Sequence, residues 1–204
     1  TYAKSAVNDI RNSIFQRLSD VVRRDGSTSY MRAVAGEDGG VDNKGSSAPS
    51  FFGIEVLTEL LVMGRVGVYV DMPRLSGLSL ADVGNARPYM YKYAVEDILS
   101  WSVQKPGKPG TFSAVLLRDT GINYNQEWAY GGLPDSEFTQ YRYMWINKVT
   151  GKVNMILYDE EGLEFDLDGT PLMTGDVIEL DLDRIPFVMP CIGGSLLKDV
   201  YKHQ

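Results

Sequence analysis

Apolar and polar positions divide this chain into helical and extended stretches with little linker between some of them. From Tyr2 to Arg24 the residues Val7, Ile10, Ile14, Leu18 and Val21 recur at three- and four-residue steps, which predicts an amphipathic helix. Arg11, Arg17, Arg23 and Arg24 supply it with a basic face, and Asp25-Gly26 ends it. From Gly36 to Ser50 (GEDGGVDNKGSSAPS) apolar residues nearly vanish, so this stretch reads as a long exposed loop that cannot order itself. Ser50 is then placed to cap a second helix over Phe51 to Met63, with Ile54, Leu57, Leu61 and Gly64 on one face. Directly after Gly64-Arg65 the period falls to two. Val66, Val68 and Val70 alternate with Gly67, Tyr69 and Asp71 and predict a strand, closed by Met72-Pro73. A helix that feeds a strand without a linker is a rigid connection.

The rest of the chain reads mainly as strands. Pro73 to Arg87 is loop-like. Tyr89, Tyr91 and Tyr93 share one face of an extended segment, Val95 to Leu99 makes one helical turn, and Trp101 and Val103 continue as a strand. Lys105 to Gly110 is a proline-rich turn, Thr111 to Arg118 a strand, and Asp119 to Pro134 a loop. Strands are then predicted over Phe138 to Asn147, Lys152 to Tyr158, Leu163 to Leu167 and Val177 to Leu182, with Ile185 to Met189 extended. Gly193-Gly194 releases the chain into a final helix capped by Ser195. The expected class is α+β, a mostly antiparallel module of about seven strands inserted between helices. Its expected segments are 1–50 (helix and exposed loop), 51–65 (helix leading into the sheet), 66–190 (β-rich module) and 191–204 (a returning helix). Thr1 in place of Met, and a helical pattern still running at Gln204, are read as signs of a piece of a longer protein.

Composition narrows the chemistry. The net charge of −7 argues against a sequence-reading nucleic-acid binder, which needs a basic surface. Cys191 is the one cysteine, so no disulfide forms within the chain, and folding in a reducing compartment fits. No run of about eighteen apolar residues occurs, so no membrane span is expected. His203 is the one histidine and sits at the C-terminal end, leaving no material for a His/Cys metal site or a Ser-His-Asp triad. Phosphate-loop spacings are missing, and the prolines of Gly107 to Thr111 remove the amide donors a phosphate cradle needs. No catalytic residue, cofactor or metal site is therefore assigned, and no enzyme is expected.

Two groups of residues remain. Glu164, Asp166 and Asp168 alternate with apolar residues, as do Glu179, Asp181 and Asp183. Three readings are open: a solvated strand face, a cation site or carboxylate pair for glycoside hydrolysis, or an acidic lining past which DNA would slide. Glu164 to Gly169 has the look of a calcium loop, but Glu164 replaces the first Asp and Gly175 occupies the bidentate position. Tyr141, Tyr143 and Trp145 share one strand face and are candidates for packing or for a subunit interface, ahead of base or sugar stacking.

With catalytic constellations absent, the connecting stretch gains weight. Leu61, Gly64-Arg65, Val70-Asp71, Pro73, Arg87-Pro88-Tyr89, Tyr93, Glu96-Asp97-Ile98 and Trp101 form a pattern that resembles portal proteins of tailed bacteriophages. The match is dense from about Glu59 to Asp119 and weaker, but co-linear, to the helix after Gly194. The resemblance implies a non-enzymatic ring, usually of twelve subunits, with wing, stem, clip and crown regions. Phe51 to Met63 would then belong to the stem, and Gly64, Arg65, Gly193 and Gly194 would mark the junctions of stem and clip. Tyr141, Tyr143 and Trp145 would be candidates for the subunit contact. Implied partners are the packaging terminase, neck or adaptor proteins, the major capsid and scaffolding proteins, and double-stranded DNA in transit. The implied location is the virion's portal vertex, assembled in the bacterial cytoplasm. Alternatives are a β-rich virion adaptor or binding module, and a hydrolase using Glu164, Asp166, Glu179 and Asp181.

Overall fold

A computed structural model describes residues 2–18, 25–71, 87–103, 111–124, 134–165, 171–173, 176–193 and 195. The described residues form an α+β fold of three helical regions and nine strands in antiparallel sheets, the class that the sequence pattern predicts. The helices are α1 (Tyr2–Leu18), α2 (Thr28–Ala35), and a continuous run of α3 (Ala48–Ser50), a π-helical segment (Phe51–Val56) and α4 (Leu57–Met63). The strands are β1 (Gly67–Asp71), β2 (Tyr89–Tyr93), β3 (Ile98–Val103), β4 (Phe112–Tyr124), β5 (Pro134–Ile146), β6 (Val153–Tyr158), β7 (Glu164–Phe165), β8 (Ile178–Leu180) and β9 (Phe187–Val188).

The strands do not form one module over 66–190. The chain divides into two compact units, residues 1–95 with 186–204, and residues 96–185. The first holds the helices and a three-stranded sheet in the order β2-β1-β9. The second holds the order β3-β4-β5-β6-β7, with β8 also on β6. The inserted segment is therefore shorter than the pattern suggests, because β1 and β2 pair with each other and pack with the helices.

In the first unit, Val41, Ala48, Phe51, Val56, Val66 and Val68 form the core, flanked by Val34, Phe52, Leu60 and Met90. Phe51 and Val56 are five residues apart and both buried. The wider π turn brings such a pair to one face, which an α-helix would not do. It also rotates Ile54 outward, to 38% exposure, away from the core face the periodicity assigns to it. Gly53 is the notch on which α1 rests. The Phe15 ring lies where a Cβ of residue 53 would be. α1 consequently packs through Val7, Arg11 and Phe15, and Arg11 donates to the Thr58 hydroxyl at 3.4 Å in place of joining a free basic face. Ile10 and Ile14 remain substantially exposed. Residues 19–24, with Val21, Arg23 and Arg24, lie outside the described residues.

The segment after α2 is ordered, contrary to the composition argument. α2 itself is capped by Ser27 and ends at Gly36 in the left-handed region, φ 95°. Asp42 Oδ1 accepts the Lys44 and Ser46 amides, closing a turn that lets Val41 enter the core. Met90 N donates to Val41 O at 2.7 Å, so this turn is also tied to β2. The cap of the following helix is Ser47, whose hydroxyl accepts the Ser50 amide, and not Ser50.

On the sheet, Tyr69 of β1 stands opposite Tyr91 of β2 and Phe187 of β9. Tyr69 meets Tyr91 at 5.3 Å and Tyr93 at 6.3 Å, and Tyr93 meets Phe187 at 6.2 Å. The tyrosine face seen in the sequence is thus an aromatic packing layer, worth about 0.5–1.5 kcal/mol per pair beyond simple burial.

In the second unit β4 and β5 form a hairpin with arms of 13 residues each. β4 runs past the predicted end at Arg118 to Tyr124, and β5 begins at Pro134, so much of the expected loop is paired strand. Gly121 stands opposite Phe138, whose ring occupies the space of the missing side chain. That cover compensates for a residue that would otherwise weaken a strand. Val115, Leu117, Met144, Val153, Met155 and Leu157 make the buried face.

Candidate functional site

The helix-to-strand passage and the returning chain lie side by side. α4 ends at Gly64 with φ 77°, its amide donating to Leu60 O at 2.8 Å. Only glycine takes that conformation without strain. Arg65 then makes an antiparallel bridge with Cys191. Ile192 N donates to Gly64 O at 3.1 Å, Val66 N to Pro190 O at 3.3 Å, and Val70 N to Pro186 O at 2.9 Å. The Ser195 hydroxyl donates to Val62 O in α4. Gly193, also left-handed at φ 80°, turns the chain before that contact. Of the four predicted junction residues, Gly64, Arg65 and Gly193 therefore share one small region. Gly194 and the expected helix beyond Ser195 lie outside the described residues.

Cys191 belongs to this region and was not singled out from sequence. It is exposed, and its sulfur accepts the Gly193 amide at 3.4 Å. That bond, followed by a hydrogen bond from Arg65, holds the thiol below its ordinary value by stabilising the thiolate. The local signal was the two-residue spacing to Gly193.

The aromatic strand is β5. Arg142 and Met144 are buried on one face, and Tyr141, Tyr143 and Trp145 stand partly exposed on the other. Tyr143 and Trp145 stack with ring centres 5.1 Å apart and planes 23° apart. Across β6 they are opposite Ile156 and Asn154, and Tyr141 is opposite Tyr158. Burial, with Glu164 and Tyr143 adding to it, pushes the Tyr158 hydroxyl above its usual range. Asn154 Oδ1 and Glu164 Oε2 are buried without a hydrogen-bond partner. The face thus combines stacked rings with two unmatched acceptors.

The described residues of the acidic set are spread over two strands and the segment after β8. Glu164 lies on β7 beside Tyr158, whereas Glu179 lies on β8 beside Asn154. Four residues of β6 separate them, about 13 Å at strand rise. A retaining or inverting carboxylate pair needs about 5–9.5 Å. Asp181 and Asp183 fall beyond the end of β8, and both pair with Lys152 Nζ at 2.8 Å. One lysine offsets one of the two carboxylate charges, so the pair keeps a net negative charge at an exposed position. Asp166 and Asp168 lie outside the described residues. Among the described residues no cluster of three or more His, Cys, Asp or Glu side chains is arranged to hold a metal ion.

An ion pair between Arg142 and Asp119 lies largely buried in the second unit. Arg142 donates to Asp119 Oδ2 through Nε at 3.2 Å and through a terminal nitrogen at 3.2 Å, and Gln140 donates to the same oxygen at 3.3 Å. Asp119 falls in a stretch with loop-like composition, and Arg142 alternates with tyrosines, so neither signals the pair in the sequence.

No protein-family model matches the sequence, and no curated protein is significantly similar to it. Among the described residues no helix is long and apolar enough to cross a membrane.

Proposed function

We propose that this chain is part of a subunit of a bacteriophage portal ring. In this reading it is a non-enzymatic conduit for double-stranded DNA during packaging and ejection, located at a capsid vertex. Its partners are further copies of itself, the packaging terminase, neck or adaptor proteins, and the major capsid and scaffolding proteins. The carrying observation is the pairing of Gly64 with Ile192. A stem that sends the chain into an inserted module must bring it back beside its point of departure, and the amide of Ile192 on the carbonyl of Gly64 has that geometry. The exposed faces of Tyr143 and Trp145 supply an aromatic surface of the kind enriched at subunit contacts.

The test is the particle mass and electron-microscope image of the chain and of any longer protein that carries it. The reading expects closed rings. A strictly monomeric particle overturns it. Trp145→Glu should prevent ring closure while leaving the isolated chain folded, as judged by circular dichroism.

A second reading, a β-rich adaptor or binding module of a virion, is favoured by one observation. Tyr143 and Trp145 form a stacked, partly exposed aromatic pair that a different virion protein could equally cover. In that case Trp145→Glu abolishes binding to another virion protein, and no ring forms.

A further inference from the structure

Directly opposed residues of antiparallel strands share a face, so the register of the second unit arranges the aromatic side of its sheet in rows. Trp145, Asn154 and Glu179 form one row across β5, β6 and β8. Tyr141, Tyr158 and Glu164 form another across β5, β6 and β7. Tyr143 stands between Tyr141 and Trp145 and stacks on the latter. Two strand spacings, about 10 Å, separate each outer aromatic residue from the carboxylate of its row. Asn154 and Ile156 form a buried floor between them. Glu179 is exposed, and Tyr141, Tyr143 and Trp145 are partly exposed.

The charge beside these rings has one sign. From Val153 to Asp183 the sequence has ten Asp or Glu residues and no Lys or Arg. Two cations border the face, and both are engaged. Arg118, opposite Tyr141, pairs with Asp97 at 2.8 Å. Lys152, just before β6, pairs with Asp181 and Asp183 and leaves that group net negative. Glu179 accepts only the Thr150 hydroxyl, at 3.4 Å, and has no cation partner among the described residues.

Rings and carboxylates together select what covers this face. Nucleic-acid bases stack on aromatic rings, but the carboxylates repel the phosphates that come with them. An uncharged sugar gains nothing from the charge. A second copy that presents the same face sets like charge against like. A guanidinium meets both halves, with its plane on a ring and its edge N–H groups on a carboxylate. We infer that this face docks a basic, arginine-bearing segment of a partner chain, with a guanidinium on Trp145 and Tyr143 and Glu179 as its counter-charge. The proposal rests on the reading of the face as a contact surface, which both readings above share, and not on the ring.

The experiment is calorimetric titration of the full 204-residue chain, at low ionic strength, with octa-arginine and separately with octalysine. Octa-arginine should bind about two- to fivefold more tightly, the ratio expected for a guanidinium on an exposed ring. Trp145→Ala should abolish that preference. Glu179→Gln should weaken octa-arginine about two- to fivefold, as for an exposed ion pair. Asp9→Asn, the same loss of charge on α1, should leave the affinity unchanged. Equal affinity for the two peptides on the unaltered chain overturns the proposal. So does an equal response to Glu179→Gln and Asp9→Asn, or tighter binding of oligothymidylate than of octa-arginine. If Trp145→Ala does not fold, the peptide ratio and the two carboxylate variants decide the matter alone. Rings that form without binding octa-arginine overturn this proposal and leave the portal reading standing. Octa-arginine binding by a protein that forms no ring does the reverse.

Discussion

Ile192 donates its amide to the carbonyl of Gly64 at 3.1 Å, at the point where α4 has just ended in a left-handed residue. The carbonyl that a helix end leaves unsatisfied is here taken by the returning chain. Residue 64 must therefore hold φ near 77° to present it. Gly64→Ala should destabilise the first unit by about 1–2 kcal/mol, the cost of a left-handed L-residue. Gly64→Asn should cost less, because Asn tolerates that region. Gly64→Val should cost more, and on the portal proposal it should also disrupt ring assembly. Urea unfolding followed by circular dichroism orders the three variants. An order with Ala mildest would remove the conformational argument.

The bridge of Arg65 with Cys191 makes a chemical prediction. The Cys191 thiolate is stabilised by the Gly193 amide and then by Arg65, so its pKa lies below the ordinary thiol value. The rate of alkylation by iodoacetamide follows the thiolate fraction. Its pH midpoint should lie below that of a free cysteine peptide measured alongside. Arg65→Gln should move the midpoint upward, towards the peptide. An unchanged midpoint would mean that Arg65 does not reach the sulfur.

The ion pair of Arg142 with Asp119 sits on the buried face of the second unit, with side chains 9% and 16% exposed. Removing one partner strands the other charge in a poorly solvated place. Asp119→Ala should cost about 3 kcal/mol or more. Replacing both residues, Asp119→Leu with Arg142→Leu, should recover most of that loss, because neither charge then needs solvation. All three tryptophans, Trp101, Trp128 and Trp145, fall within 96–185, so their fluorescence during urea unfolding reads this unit. Single and double variants of equal stability would contradict the pairing.

What could be read in advance was local. The change of period at Gly64-Arg65 gave the end of α4 and the start of β1, because a helix face and a strand alternation are both written in neighbouring residues. Pairing is not local, and the errors concentrate there. Thr120 to Tyr124 looks like loop by composition, yet it extends β4, since Phe138 on the partner strand covers Gly121. The split of the strands into two sheets depends on β1 choosing β2 and β9, a choice made across more than a hundred residues. α2 is not legible from periodicity, because it has eight residues in a Ser- and Gly-rich setting, where the Ser27 cap and the Gly36 stop outweigh a weak apolar pattern. The residues named for an acidic lining are legible as carboxylates, but Lys152, which pairs two of them, comes from the bend before β6, some thirty residues earlier.

The turn around Asp42 supplies a pH dependence with a definite sign. Asp42 is 6% exposed. Burial raises its pKa, but hydrogen bonds from the Ser46 side chain and from the Lys44 and Ser46 amides outweigh it, and the net shift is downward from 3.8. A carboxylate with a depressed folded pKa binds protons more weakly than in the unfolded chain. Its contribution to stability is therefore complete above the unfolded value and is lost as pH falls through the folded one. Between pH 5 and 7 the turn should be intact, and it should open only below the ordinary aspartate range. The amide shifts of Lys44 and Ser46 should titrate together there, with a midpoint below 3.8. Asp42→Ala removes the acceptor of both amides and should cost about 2 kcal/mol, as for hydrogen bonds to a charged group. It should also loosen Val41, whose carbonyl accepts from Met90. A midpoint above 3.8 would show that burial, and not hydrogen bonding, governs this carboxylate.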